Sequence, residues 1–172
     1  MNVERIKVKG WKGKERGLIL AENEEWLLVQ CIPVDYLLDG YKLYRKDSVL
    51  KRSTKSDEEM IAHVFGLKKL SNKAPTGFKL GSIESMLGWI EKKHGLFELQ
   101  MKREEELFFG KLVEMEEEDL VVQLLAFDGS EDEENEYLFA SKKIRAISFG
   151  SDYADSLRLL MEEQSQKTLK KV

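Results

Sequence analysis

The feature that most constrains this chain is a pattern that occurs in it twice. Residues 17–35, GLILAENEEWLLVQCIPVD, lie without a gap over residues 110–128, GKLVEMEEEDLVVQLLAFD. Gly17 falls on Gly110, Glu24-Glu25 on Glu117-Glu118, Leu27 on Leu120, Val29-Gln30 on Val122-Gln123, and Asp35 on Asp128. Upstream in the same frame, Ile6 and Val8 fall on Leu99 and Met101. Downstream, a two-residue insertion in the second copy brings Leu43-Tyr44 over Leu138-Phe139, Val49 over Ile144, and Ser56-Asp57 over Ser151-Asp152. Apolar positions, turn residues and helix starts that keep one frame predict an internal duplication, and with it two copies of one supersecondary unit.

Each copy reads as short strands followed by a helix. Arg5–Lys9 and Phe97–Lys102 alternate polar and apolar residues, as a half-buried strand does. Second strands are expected over Gly17–Glu22 and Gly110–Met115, and third strands over Trp26–Ile32 and Asp119–Leu125. Fourth strands follow over Tyr41–Arg45 and Glu136–Ala140, and short fifth strands over Val49–Lys51 and Ile144–Ser148. Ser56 or Asp57, and Ser151 or Asp152, suit helix N-caps. The helices behind them carry Met60, Ile61, Val64 and Phe65 in one copy, and Tyr153, Leu157 and Leu160 in the other, one apolar stripe each. Between the copies, Ser71–Gly81 has the Ser, Asn, Pro and Gly content of a linker. Ser82 then caps a further helix with Ile83, Met86, Leu87 and Ile90 on one face and Gly95 closing it.

The predicted organisation is a first repeat over residues 1–70, a linker over 71–81 and a second repeat over 82–172. In the third strand, Leu27, Val29 and Cys31 are matched by Leu120, Val122 and Leu124, which marks a core face. The opposite face, Leu28, Gln30 and Ile32 against Val121, Gln123 and Leu125, is also largely apolar, so something must cover it. Packing of one repeat on the other is the first expectation, and self-association the second.

Composition narrows the setting. Hydrophobic residues make up 42% of the chain and charged residues 35%, as in ordinary globular proteins. No stretch nears the roughly 20 apolar residues that span a bilayer. The start, Met1 to Ile6, alternates instead of forming the apolar core of a secretory signal. A single cysteine excludes an internal disulfide framework. These readings place the protein in the cytoplasm with no membrane partner. The net charge of −4 is unevenly spread, with residues 1–86 net basic and residues 87–172 net acidic.

A helix over residues 82–94, a strand over 97–102, then Gly110-x-Leu112 running into Glu117-Glu118-Asp119-Leu120-Val121-Val122, and a last strand Ile144-Arg145-Ala146-Ile147, resemble the Sm-like superfamily of small β-barrels, the Hfq and LSm type. Gly17 with Glu24-Glu25 meets the same pattern in the first copy. The resemblance implies an α+β, mainly β fold of two tandem five-stranded Sm/SH3-like barrels with accessory helices. It does not carry over the family's RNA-binding residues. Where that type places Lys-His before the final strand, this chain has Ser141-Lys142 and Lys46-Asp47, and the Arg-Gly signature of the last loop is absent.

The stretch richest in binding chemistry is Lys7-Val8-Lys9-Gly10-Trp11-Lys12-Gly13-Lys14-Glu15-Arg16. Lys7, Lys9, Lys12, Lys14 and Arg16 supply charge, and Trp11 a face on which a base can stack. The alternative structure for this stretch is a solvated hairpin loop. Asp128–Glu136 reads as an acidic turn without EF-hand spacing. Tyr36, Tyr41 and Tyr44 flank a turn at Asp39-Gly40 and suggest either an aromatic cage or, for Tyr44, core. His63 and His94 have no ligand partners at metal spacing, and Cys31, matched by Leu124, reads as a small buried hydrophobe. No catalytic constellation is found. The expected function is a non-catalytic binding or scaffolding protein, without cofactor or metal, that pairs internally, with itself or with another protein. The alternative is an RNA-binding regulator that uses the basic loop.

Overall fold

Alternating and β-branched segments become strands as their period of two demands, and every strand pairs antiparallel. The computed structural model describes residues 1–169, with the side chains of 131–135, 168 and 169 outside that description. The strands are β1 (Val3–Val8), β2 (Glu15–Glu22), β3 (Trp26–Cys31), β4 (Tyr41–Arg45), β5 (Val49–Ser53), β6 (Phe97–Gln100), β7 (Leu107–Glu116), β8 (Asp119–Leu125), β9 (Glu131–Phe139) and β10 (Ala146–Phe149). Three α-helices, α1 (Ser56–Leu67), α2 (Ile83–His94) and α3 (Asp152–Leu169), accompany the strands among the described residues.

The strands form one ten-stranded sheet in the order β5-β1-β2-β3-β4-β10-β6-β7-β8-β9. This overturns the expected pair of closed five-stranded barrels. Instead of each half closing on itself, β4 gives its outer edge to β10, pairing Tyr44 with Ala146, Leu43 with Ile147, Lys42 with Ser148 and Tyr41 with Phe149. Composition explains which edges join. Leu43, Tyr44, Ala146, Ile147 and Phe149 are all buried, as central strands require. The strands left outermost among the described residues, β5 and β9, expose Leu50, Tyr137 and Leu138.

Within each half the pairing scheme is the same, and so is the register. Gly17 faces Cys31 as Gly110 faces Leu124, and Leu27 faces Tyr44 as Leu120 faces Phe139. Even the irregularity recurs, between Ile19 and Ala21 in β2 and between Leu112 and Glu114 in β7. The two glycines have one physical reason. A Cβ on Gly17 would stand 2.7 Å from the Val29 side chain, and one on Gly110 2.6 Å from that of Val122.

The apolar second face of β3 is covered from within the chain. Trp26, Leu28 and Leu43 share a core with Phe97, Leu99, Leu120 and Val122 of the second half, under Met86, Leu87 and Ile90 of α2. On the first half, Ile61 and Phe65 of α1 close over Val3, Leu18 and Ile32. The α1 stripe is narrower than expected, since Met60 is exposed. In α3 the buried face is Ala154 and Leu157, with Met161 against it, while Tyr153 and Leu160 face out. Residues 71–82 hold no helix or strand, yet Phe78 is buried there and stacks on Phe149 at 5.8 Å. β9 begins at Glu131, earlier than the expected Glu136, because the acidic run is strand where a turn was expected.

Candidate functional site: the cleft at the seam

Where β4 meets β10, a cleft of about 480 Å³ opens between the halves. Strand alternation turns Lys42 away from the shared core, and the pairing of β4 with β10 brings Ser148 opposite it. Its ammonium donates to Glu15 at 2.8 and 3.1 Å and to Gln100 Oε1 at 3.1 Å. The Tyr44 hydroxyl donates to the same Glu15 carboxylate. Lys42 Nζ also stands 5.5 Å from the Trp11 ring centre and 5.8 Å from that of Tyr44, within cation–π range. Glu98, from β6, accepts a bond from the Ser148 hydroxyl at 3.0 Å. Cys31, Ile32, Pro33 and Tyr41 line the cleft beside these charged groups.

Arg5 and Arg16, which line the cleft, are tied to the first turn of α1. Arg5 donates to Glu58 at 2.6 Å and to Asp57 at 2.7 Å, and Arg16 reaches Glu58 at 3.0 Å and also pairs with Asp35. Glu58 is fully buried and accepts from the Lys55 amide at 3.1 Å, so a side chain of the helix's first turn satisfies the backbone N–H of the N-cap.

Burial and charge set the protonation states here. Burial is the largest single effect on the Lys42 ammonium and works against it, but the charge and hydrogen bond of Glu15, with further help from neighbours including Glu98, together raise its pKa. Burial, reinforced by the Glu15 charge, pushes the Tyr44 phenol well up. Burial also drives the Cys31 thiol up to about 12, against the pull of Lys42. Glu98 is raised by burial, with Lys42 and the Ser148 bond opposing. The cleft therefore holds a neutralised cation beside a protonated phenol and a protonated thiol. A thiol and a phenol held protonated in this way are not poised as nucleophiles.

The structure redistributes the residues read as a basic binding loop. Trp11 offers no stacking face, because its ring is only 3% exposed. It packs against Tyr44 at 6.3 Å and donates from Nε1 to the Met101 carbonyl at 3.1 Å. The Lys7 ammonium is turned inward onto the carbonyls of Trp11, Lys12 and Gly13. The amides of Lys12 and Gly13 donate to Glu104 of the second half at 2.9 and 3.0 Å, and the Lys12 side chain approaches Glu105 at 3.8 Å. Lys14 and Arg16 line the cleft, while Lys9 is exposed on the other side of the hairpin. The loop thus fastens one half to the other.

The three tyrosines are not brought together. Tyr44 is core, Tyr41 stacks on Phe149 at 5.3 Å, and Tyr36 is exposed with φ 64. His63 is exposed; His94 packs between Trp89 and Phe149, where burial lowers its pKa. No group of three or more potential metal ligands occurs among the described residues. Within the acidic run, Asp128 bonds Ser130 at 2.9 and 2.7 Å, and the side chains of 131–135 lie outside the described residues.

Sequence reasoning missed Lys42, Glu15, Glu98 and Gln100. One signal was available: Lys42 is a charge between Tyr41 and Leu43 at a position where the second copy has Tyr137. A lysine in that setting needs a buried counter-ion. No helix among the described residues is long and apolar enough to cross a membrane. Comparison with protein families, with curated proteins and with solved structures finds no match for this chain.

Proposed function

We propose that this protein is a non-catalytic binding and scaffolding protein that joins copies of itself head to tail. The observation that carries the reading is the relation between joined and free edges. Inside the chain, the fourth strand of the first half pairs with the fifth strand of the second. At the ends of the sheet, the fifth strand of the first half, β5, and the fourth strand of the second, β9, lie outermost. The same junction made between two molecules sets β9 of one against β5 of the next. An unpaired strand edge is a template for such addition. The two edges are also opposite in charge, since β5 reads VLKRS and β9 reads EDEENEYLF. A tandem duplication accounts for this geometry, because equivalent edges arise from equivalent sequence. The seam cleft is the ligand-binding side of this reading, and its silenced thiol, phenol and ammonium support binding over catalysis.

A heterologous contact of this kind builds rings or open filaments. Light scattering of the full chain across a concentration series should give a mass above that of the monomer. Lys51→Glu, an exposed change on β5, should weaken the assembly at least several-fold and more so at low salt. A monomer at every concentration up to the millimolar range would overturn the scaffolding reading.

A further inference from the structure

A second cavity, of about 430 Å³, lies at the opposite end of the seam from α1 and collects positive charge from both halves. Lys9 and Lys102 come from the ends of β1 and β6, Lys142 and Lys143 from the short 3₁₀ turn before β10, and Arg145 from the residue preceding that strand. Lys142 is paired with Glu118, and Glu106, which also lines the cavity, is paired with Arg103 at 2.7 Å. Asp47 is the remaining acid, and it accepts a bond from Ser48. Among the described residues, Lys9, Lys102, Lys143 and Arg145 have no carboxylate partner within ion-pair distance. The balance around the cavity is strongly positive.

Arg145 adds an independent observation. Its Nη1 is the buried side-chain nitrogen that finds no hydrogen-bond partner among the described residues. Its backbone is clamped at both ends, the amide donating to the Gln100 carbonyl and the carbonyl accepting from the Arg45 amide, each at 2.9 Å. The guanidinium is therefore held on a fixed base rather than on a loose loop. Gly10, at φ +88, makes room beside it: a Cβ there would meet the Lys102 carbonyl at 2.7 Å and Arg145 Nη1 at 3.6 Å. A buried donor without an acceptor is costly, and like charges gathered without counter-ions repel. An anion with several acceptor oxygens in the cavity relieves the crowding of positive charge.

We propose that this cavity is a binding site for a phosphate group, held by Arg145 and Lys143 with Lys9 and Lys102 completing its positive wall. A guanidinium fork together with several ammonium groups matches a multiply charged tetrahedral oxyanion better than a single carboxylate. The volume falls in the range of small-ligand sites and admits a phosphomonoester as large as a nucleotide. This site is separate from the seam cleft, and Asp47 and Ser48 of its wall lead into the edge strand β5.

The test is calorimetric titration of the full chain with inorganic phosphate, with a nucleoside monophosphate and with a short single-stranded RNA, at low and at physiological salt. Saturable binding of phosphate or monophosphate is expected, weakened at least tenfold by Lys143→Glu, which changes an exposed side chain. Arg145→Met should weaken it as much while circular dichroism shows the sheet retained. If RNA binds as well, is displaced by inorganic phosphate and is lost in Lys143→Glu, the phosphate comes from a polymer backbone and the site stands. If no phosphate compound binds at low salt, or if whatever binds ignores both substitutions, the proposal is overturned.

Discussion

At the scale of single residues, the strongest constraints fall where the two halves agree. Gly17 and Gly110 do not need glycine for an unusual backbone; they need it because β3 and β8 pass too close for a Cβ. Alanine at either position should overpack the sheet against Val29 or Val122 and cost about 2 kcal/mol, measured by urea denaturation. An unchanged midpoint for both variants would contradict the close approach. This was legible in the sequence, because a glycine retained beside a retained valine marks a shared contact, and Val29 and Val122 are both fully buried. Trp11 was not legible. Its neighbours Lys7, Lys9 and Lys12 suggested a wet stacking platform, but its partners Tyr44 and Met101 are distant in sequence. A local window carries no trace of such contacts. The partners of Lys42 were hidden for the same reason, since Glu15 and Gln100 reach it from two other strands.

At the scale of elements, α1 is held to the sheet by apolar and ionic contacts together. Ile61 and Phe65 supply the apolar contact, and Glu58 sits between Arg5 and Arg16. Burial alone would raise the Glu58 pKa, but the Arg5 bond and charge, with help from the Lys55 amide and Arg16, bring it below the usual value. A carboxylate whose folded pKa is depressed contributes stability above its unfolded pKa and loses it as pH falls through the folded one. Acid should therefore loosen α1 first. Glu58→Gln should destabilise the protein at neutral pH by about 2 kcal/mol and flatten the acid limb of a stability–pH curve. A variant with the same acid limb as the parent would contradict the role given to Glu58. The heads of α2 and α3 were readable from Ser82 and Ser151, whereas α1 starts one residue earlier than expected, with Lys55 in place of Ser56 or Asp57 as its N-cap. The buried faces of α1 and α3 were less so, because which turn of a stripe touches the sheet depends on the docking angle.

At the scale of the whole molecule, the five strands of each half were legible, whereas their open pairing and the joining of the halves were not. A largely buried β4 is equally consistent with a barrel closing on itself and with an edge offered to another sheet. The choice falls to β10, whose Ala146, Ile147 and Phe149 make it a central strand where its counterpart β5 is a charged edge. Arg45 reinforces the junction, donating from its side chain to the carbonyls of Ile144 and Ser141 at 3.2 and 3.0 Å. The cleft, the phosphate cavity and the proposed assembly edges all follow from this one join. Amide hydrogen exchange along β4 and β10 tests it most directly. If the ten strands are one sheet, these amides exchange only through global unfolding, as slowly as those of β3 and β8, and the chain melts in a single transition. Fast exchange along β4 and β10, with the halves unfolding in separate steps, would contradict the account.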